Sequence, residues 1–289
     1  MSILRDEYKA FTNEPDRQGF ILKQVVAGNT PTWVRHNWTS VISKDDSGNR
    51  LELFFMPDAF AIGPNSDPIY TPVYPSTLQA IADILDAVIL NTYLTNLAFQ
   101  NATQKILFQS EPILGMTSVE EFLEHSDKVF KLVDQFKSLR QGHSKVVAIG
   151  PGLTNKMLAI VGGYGGTHYG WAFQEYNAHA HPDWWLDYSQ LGWLVAQKCI
   201  LNGTVSDIRD IFTNPKLCHL VTGNEGFYTP RYPNAGLPSG PGEKKSSTIP
   251  PTTIPGKAKP LARSAMSTNE TLFWGGLIAF SGFLANTYK

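Results

Sequence analysis

The chain is poor in cysteine and in charge. Two of its 289 residues are cysteines, Cys199 and Cys218. That count excludes a disulfide-built scaffold and a four-thiolate zinc site. Two partly buried thiols are the expectation, with a single disulfide as the alternative in an oxidising compartment. Charged residues make up 17%, against about a quarter in an average soluble protein. With 24 basic and 25 acidic residues the net charge is −1, so no nucleic acid is expected as a partner. The start, Met1 to Glu7, is polar and charged and lacks the apolar core of a secretory signal. Dinucleotide, Walker, Gly-x-Ser-x-Gly and His-Glu-x-x-His motifs are all missing. Gly162 to Gly166 is glycine-rich but has no Lys-Ser/Thr ending, so it reads as a turn rather than a phosphate cradle.

Apolar residues are plentiful. They supply 42% of the chain, aromatics 12%, enough to build a core and to exclude disorder throughout. Residues 1 to about 75 read as mixed and mainly β. Within them, Trp33 to Ile42 and Leu51 to Met56 flank the turn-like Lys44 to Asn49, the pattern of a hairpin with a longer loop. Residues 76 to about 140 read as two helices. In the first, Leu78, Ile81, Ile84, Leu85, Val88 and Ile89 make one apolar face. The second starts with Thr117 and Glu120 as a capping box, with Val119, Phe122, Leu123, Val129, Phe130, Val133 and Phe136 as its buried stripe. Lys145 to Ile149 and Met157 to Val161 read as strands, and Leu191 to Leu201 as a strand or helix. Val205 to Phe212 reads as a short helix.

The C-terminal part has a different composition. Residues 229 to 270 hold eight of the 19 prolines and six basic against two acidic residues, the composition of an extended linker. Residues 271 to 288 carry no charge and have an apolar core from Leu272 to Phe280, which includes Phe273 and Trp274. The uncharged run is slightly short of the ~20 residues of a membrane span, so a membrane is the weaker expectation. Docking onto its own domain or onto another subunit are the stronger ones. The division expected is a domain over 1–228 (with lobes 1–75 and 76–228 as an alternative), a linker over 229–270 and a docking segment over 271–289. The fold class expected is α+β: a mixed sheet, a central pair of helices and a long extended C-terminal tail.

The residues able to carry chemistry gather in the second half. His179 and His181 stand at i, i+2, which on a strand points both rings to one side. With His168 they are the candidate ligands of a divalent metal. No resident cofactor is otherwise expected. His143, His181 and Asp187 are the candidate acid–base residues. Ser189 would need a base beside it to act as a nucleophile. Trp171, Trp184, Trp185 and Tyr188, together with Phe273 and Trp274, are the candidate binding aromatics, since such side chains anchor partners; core packing is their alternative role.

Several short motifs occur in a fixed order. Gly28-Asn29-Thr30-Pro31-Thr32-Trp33-Val34-Arg35 is followed by Pro57-Asp58-Ala59-Phe60-Ala61-Ile62-Gly63. Then come Gly142-His143-Ser144-Lys145, Tyr169-Gly170-Trp171, Ala180-His181 and Asp187-Tyr188-Ser189. In this the chain resembles a group of bacterial proteins of unknown activity. Their pattern runs Gly-Asn-x-Pro-x-x-x-Arg, Pro-Asp-Tyr-Leu-Ala-Ile-Gly, Gly-His-Lys-Lys-Asp, Tyr-Gly-Trp-His, Gly-His and Asp-Tyr-Ser-His-Gly. The resemblance covers roughly residues 20 to 200 and implies a hydrolase-like site. This chain departs from it at Val146, Ala172 and Gln190, where the pattern has Asp, His and His. Alanine and glutamine cannot shuttle protons as imidazole does. The expectation is therefore a non-catalytic structural or attachment subunit of a larger assembly, such as a virion, an injection particle or a surface layer. It would be an oligomer or hetero-assembly contacting other protein subunits through residues 271–289. The alternative is a hydrolase of a cell-wall peptide or glycan polymer.

Overall fold

The computed structural model describes residues 2–107, 115–151, 156–161, 172–173, 181–182 and 186–232. All belong to the first of two units into which the chain divides, Met1–Glu243 and Lys244–Lys289. Three helices come first: α1 (Ile3–Ala10), α2 (Glu14–Val26) and α3 (Thr32–Arg35). The front of the chain is therefore helical up to Arg35, which corrects the mainly β reading of this region. The cause is local. The Asn13 side chain accepts a hydrogen bond from Asp16 N at 2.9 Å, capping α2. Pro15 sits in the first turn, where its missing N–H costs nothing. Phe20, Ile21 and Val25 then bury one face.

The hairpin is present, with its first arm starting at Thr39 rather than at Trp33, which lies in α3. Strands β1 (Thr39–Lys44) and β2 (Arg50–Phe55) pair antiparallel, from Thr39 opposite Phe55 to Lys44 opposite Arg50. Two short strands follow, β3 (Ala61–Ile62) and β4 (Ile69–Tyr70), then α4 (Pro75–Ile84), β5 (Ala87–Ile89), α5 (Thr92–Gln100) and β6 (Gln104–Lys105). Helix α4 stops before Val88 and Ile89, which were expected on its apolar face. Asp86 takes a left-handed turn, φ 50°, and the two β-branched residues pair with Val195 and Leu194 instead.

Next come α6 (Val119–Leu132), β7 (Arg140–Gln141), β8 (Lys145–Ala148), β9 (Lys156–Val161), β10 (Ala172–Phe173) and β11 (His181–Pro182). The segment from Leu191 onward is three strands, β12 (Gln190–Gly192), β13 (Leu194–Ala196) and β14 (Lys198–Leu201). They are followed by β15 (Thr204–Asp207), α7 (Ile208–Thr213) and α8 (His219–Thr222). Helix α7 starts later than expected because Asp207, not Thr204, caps it.

One antiparallel sheet runs β15-β14-β2-β13-β5, with β1 also on β2. The other runs β10-β9-β8-β12, with β11 also on β9 and with β12 parallel to β8. The architecture is thus α+β with mixed strand pairing. The chain passes from one sheet to the other at Trp193, whose side chain is fully buried. Cys199 and Cys218 are both free and buried. Tyr232 is buried, and its N–H donates to Gln79 Oε1 at 2.8 Å, so the packed body continues through that residue.

Candidate functional site

A chain of polar side chains crosses the interior where the two sheets, β4 and α6 meet. Its anchor is Asp58, which is fully buried. One carboxylate oxygen accepts from His143 Nε2 at 2.9 Å and from Ala59 N at 2.8 Å. The other accepts from the Tyr70 hydroxyl at 2.7 Å and from Arg140 Nε at 2.9 Å. Four donors thus occupy the four acceptor directions of the carboxylate. Burial pushes the Asp58 carboxyl up, but the bond from His143 and the charges of His143 and Arg140 outweigh it. The net shift is below the ordinary value. Tyr70 moves the other way: burial first, then the Asp58 charge, holds its hydroxyl protonated well above its usual range.

The chain continues past the imidazole. His143 Nδ1 lies 2.8 Å from Ser144 Oγ, and Ser144 Oγ lies 3.0 Å from His125 Nε2. The Ser144 hydroxyl thus stands between the two imidazoles, able to donate to one ring and accept from the other. His143, Ser144 and His125 are all fully enclosed. Burial, with the charges of His143 and Lys128, lowers the His125 pKa to about 3. Trp193 packs on the His143 ring at 5.2 Å, Tyr70 at 5.9 Å.

Local geometry sets these positions. Gly142, immediately before His143, has φ +105°, and a Cβ there would stand 2.3 Å from the Ile106 carbonyl oxygen. Only glycine tolerates both the left-handed backbone and that approach. Arg140 N–H donates to Pro57 O at 2.8 Å, which ties β7 to the strand of chain bearing Asp58.

A second polar group lies at the start of β8. Lys145 Nζ donates to Asp187 Oδ2 at 2.6 Å. The other Asp187 oxygen accepts from Ser189 N at 2.9 Å and from Ser189 Oγ at 2.6 Å. Ser189 therefore has a carboxylate beside it, which adjacency in sequence did not suggest, but both are fully buried. Gln190 Oε1 accepts from Asp187 N at 3.1 Å, while Gln190 Nε2 is buried and has no hydrogen-bond partner among the described residues.

The expected site residues are distributed as follows. His143 and Asp187 both reach the interior, each with its own partners. The backbone of His181 pairs opposite Met157, whereas Lys145 pairs opposite Val161. These points are four residues apart along β9, about 13 Å, so the register does not bring His181 to the Lys145–Asp187 pair. Tyr188 is 5% exposed and packs with Tyr74, Phe122 and Leu186, inside the core rather than on a surface. His168, His179, Trp171, Trp184, Trp185, Phe273 and Trp274 lie outside the described residues. Among the described residues no group of three or more His, Cys, Asp or Glu side chains is gathered to hold a metal ion. Asp58, Arg140, Tyr70 and His125 were not singled out as site residues. Asp58 had a visible signal in the ordered motif Pro57 to Gly63, whereas His125 lies unmarked within the stripe of α6.

Comparison with protein-family models, with curated proteins and with solved structures gives no match.

Proposed function

We propose that this chain is a non-catalytic structural or attachment subunit of a larger protein assembly, built on a hydrolase-like domain. The observation that carries the reading is the enclosure of Asp58, His143 and Ser144. They form an acid–imidazole–hydroxyl chain, the order of groups that nucleophilic hydrolases use, yet each is fully buried and both imidazole nitrogens are engaged within the fold. A general base must reach a substrate proton, and here the hydroxyl stands between two enclosed imidazoles instead. The composition of residues 229–270 and 271–289 fits a tether carrying an apolar docking segment, which raises the local concentration of whatever it attaches.

The test is the native mass of the full chain and of a chain ending at Tyr232. A larger or partner-bound species that needs the last segment is expected; two monomers that capture no partner would overturn the reading. The order of groups in the Asp58 chain favours the second reading, a hydrolase of cell-wall peptide or glycan. It predicts clearing of cell-wall material in a zymogram and loss of that clearing in His143→Ala.

A further inference from the structure

A groove of about 370 Å³ opens at the surface beside the Asp58 cluster, within the size range of small-molecule sites. Arg140 and Trp33 form its floor, and both are buried. The guanidinium lies over the Trp33 ring at 5.6 Å. Arg140 spends Nε on Asp58 and Nη1 on the Lys137 carbonyl oxygen at 2.6 Å. Among the described residues Nη2 makes no hydrogen bond, so a rigidly held cation offers one unused donor edge to the groove. Lys137 stands on the rim, and no carboxylate is among the lining residues.

The rim carries a second, unlike feature. Phe136 is 98% exposed, although its spacing in sequence put it on the buried stripe of α6. The helix ends at Leu132 and Val133 is extended. The Asp134 side chain then accepts from Phe136 N at 3.0 Å, and the Asp134 carbonyl accepts from Lys137 N at 3.0 Å. That turn holds the ring out over the groove wall. Leaving a phenylalanine in water forgoes about 2–3 kcal/mol of burial. Asn37 and Asn65 also line the groove; the Asn65 amide is held by Thr32, accepting from its N–H at 2.8 Å.

We infer that this groove binds a saccharide bearing a carboxylate. An exposed aromatic face covers the C–H face of a sugar ring, the polar lining residue Asn37 suits its hydroxyls, and a guanidinium with an ammonium meets the acid group, charge-assisted hydrogen bonds being the strongest available. A neutral sugar leaves the Nη2 edge of Arg140 and the Lys137 ammonium unused, and a simple anion leaves Phe136 uncovered. The inference goes beyond the assembly reading and does not depend on it: a monomer that binds the sugar keeps the one and loses the other.

The full chain is titrated with galacturonic acid, with its tetramer and with galactose, by calorimetry at low salt. Saturable binding of the acid in the millimolar range or tighter is expected, at least tenfold tighter than that of galactose. Tighter binding of the tetramer identifies a polymer as the source of the ligand; equal binding identifies the free sugar acid. Phe136→Ala and Lys137→Gln, both at exposed positions, each weaken binding at least fivefold with an unchanged melting temperature. No saturation with either acid, equal binding of galactose, or unchanged affinity in both variants overturns the inference.

Discussion

Asp58 gathers four donors around one buried carboxylate. It holds Arg140, His143 and Tyr70 with one carboxylate. The ion pair by itself need not stabilise the fold, because taking both charges out of water costs nearly what their attraction returns. Removing one partner is another matter. Asp58→Asn keeps the shape but leaves the Arg140 charge buried without its counter-ion. A loss of about 3–5 kcal/mol is expected, read as a lower urea midpoint at an unchanged slope.

Helix α6 is where sequence and structure can be separated by one experiment. The sequence offers Thr117 and Glu120 as a capping box. In the fold the cap is Ser118, whose hydroxyl accepts from Glu121 N at 3.2 Å. Ser118→Ala should therefore cost about 1 kcal/mol, and Thr117→Ala should stay within about 0.5 kcal/mol of the parent; thermal unfolding distinguishes them. The same helix carries His125, buried and neutral. Its pKa falls from the ordinary 6.5 to about 3, so between those values the unfolded chain binds a proton that the folded chain refuses. The stability tied to this ring is complete above about pH 6.5. It is lost as the pH drops toward 3, at about 1.4 kcal/mol per unit. Urea midpoints at pH 7, 5.5 and 4.5 should follow that slope, and His125→Gln should flatten it.

The molecule as a whole depends on chain at and just beyond the boundary that composition places at residue 228. The Tyr228 hydroxyl accepts from Asn91 Nδ2 at 2.9 Å, and Asn91 also caps α5. Tyr232 is buried against the body and tied to Gln79. A chain ending at Tyr232 should keep the parent melting temperature within about 2 °C, whereas one ending at Phe227 should melt at least about 5 °C lower. Equal melting of the two would show that Tyr228 and Tyr232 contribute nothing to the body. At low pH the whole fold faces a second loss. Asp45, bonded by Asn49 and His219, has its carboxyl lowered to about 2, and Asp58 is lowered as well. Their contributions are present above about pH 4 and disappear as the pH falls below it, adding to the loss from His125.

Local physics made a good part of this readable in one dimension. The β1–β2 hairpin follows from alternation across a polar loop. The body of α6 follows from its period, and β8 and β9 from apolar runs bounded by glycine and proline. Helix against strand at Val88 and Ile89 could not be read, because β-branched residues suit either and the pairing with Leu194 and Val195 lies a hundred positions away. The same holds for Phe136, whose spacing says core while the end of α6 turns it outward. Both His143 and Asp58 stand within the ordered motifs, but only His143 reads there as a site residue. Their separation of 85 positions hid that they share a hydrogen bond, and hid that Arg140, Tyr70 and Ser144 close around them. Propensity and period act between neighbours in the chain. Burial, pairing register and the matching of donors to acceptors act between segments that only folding brings into contact.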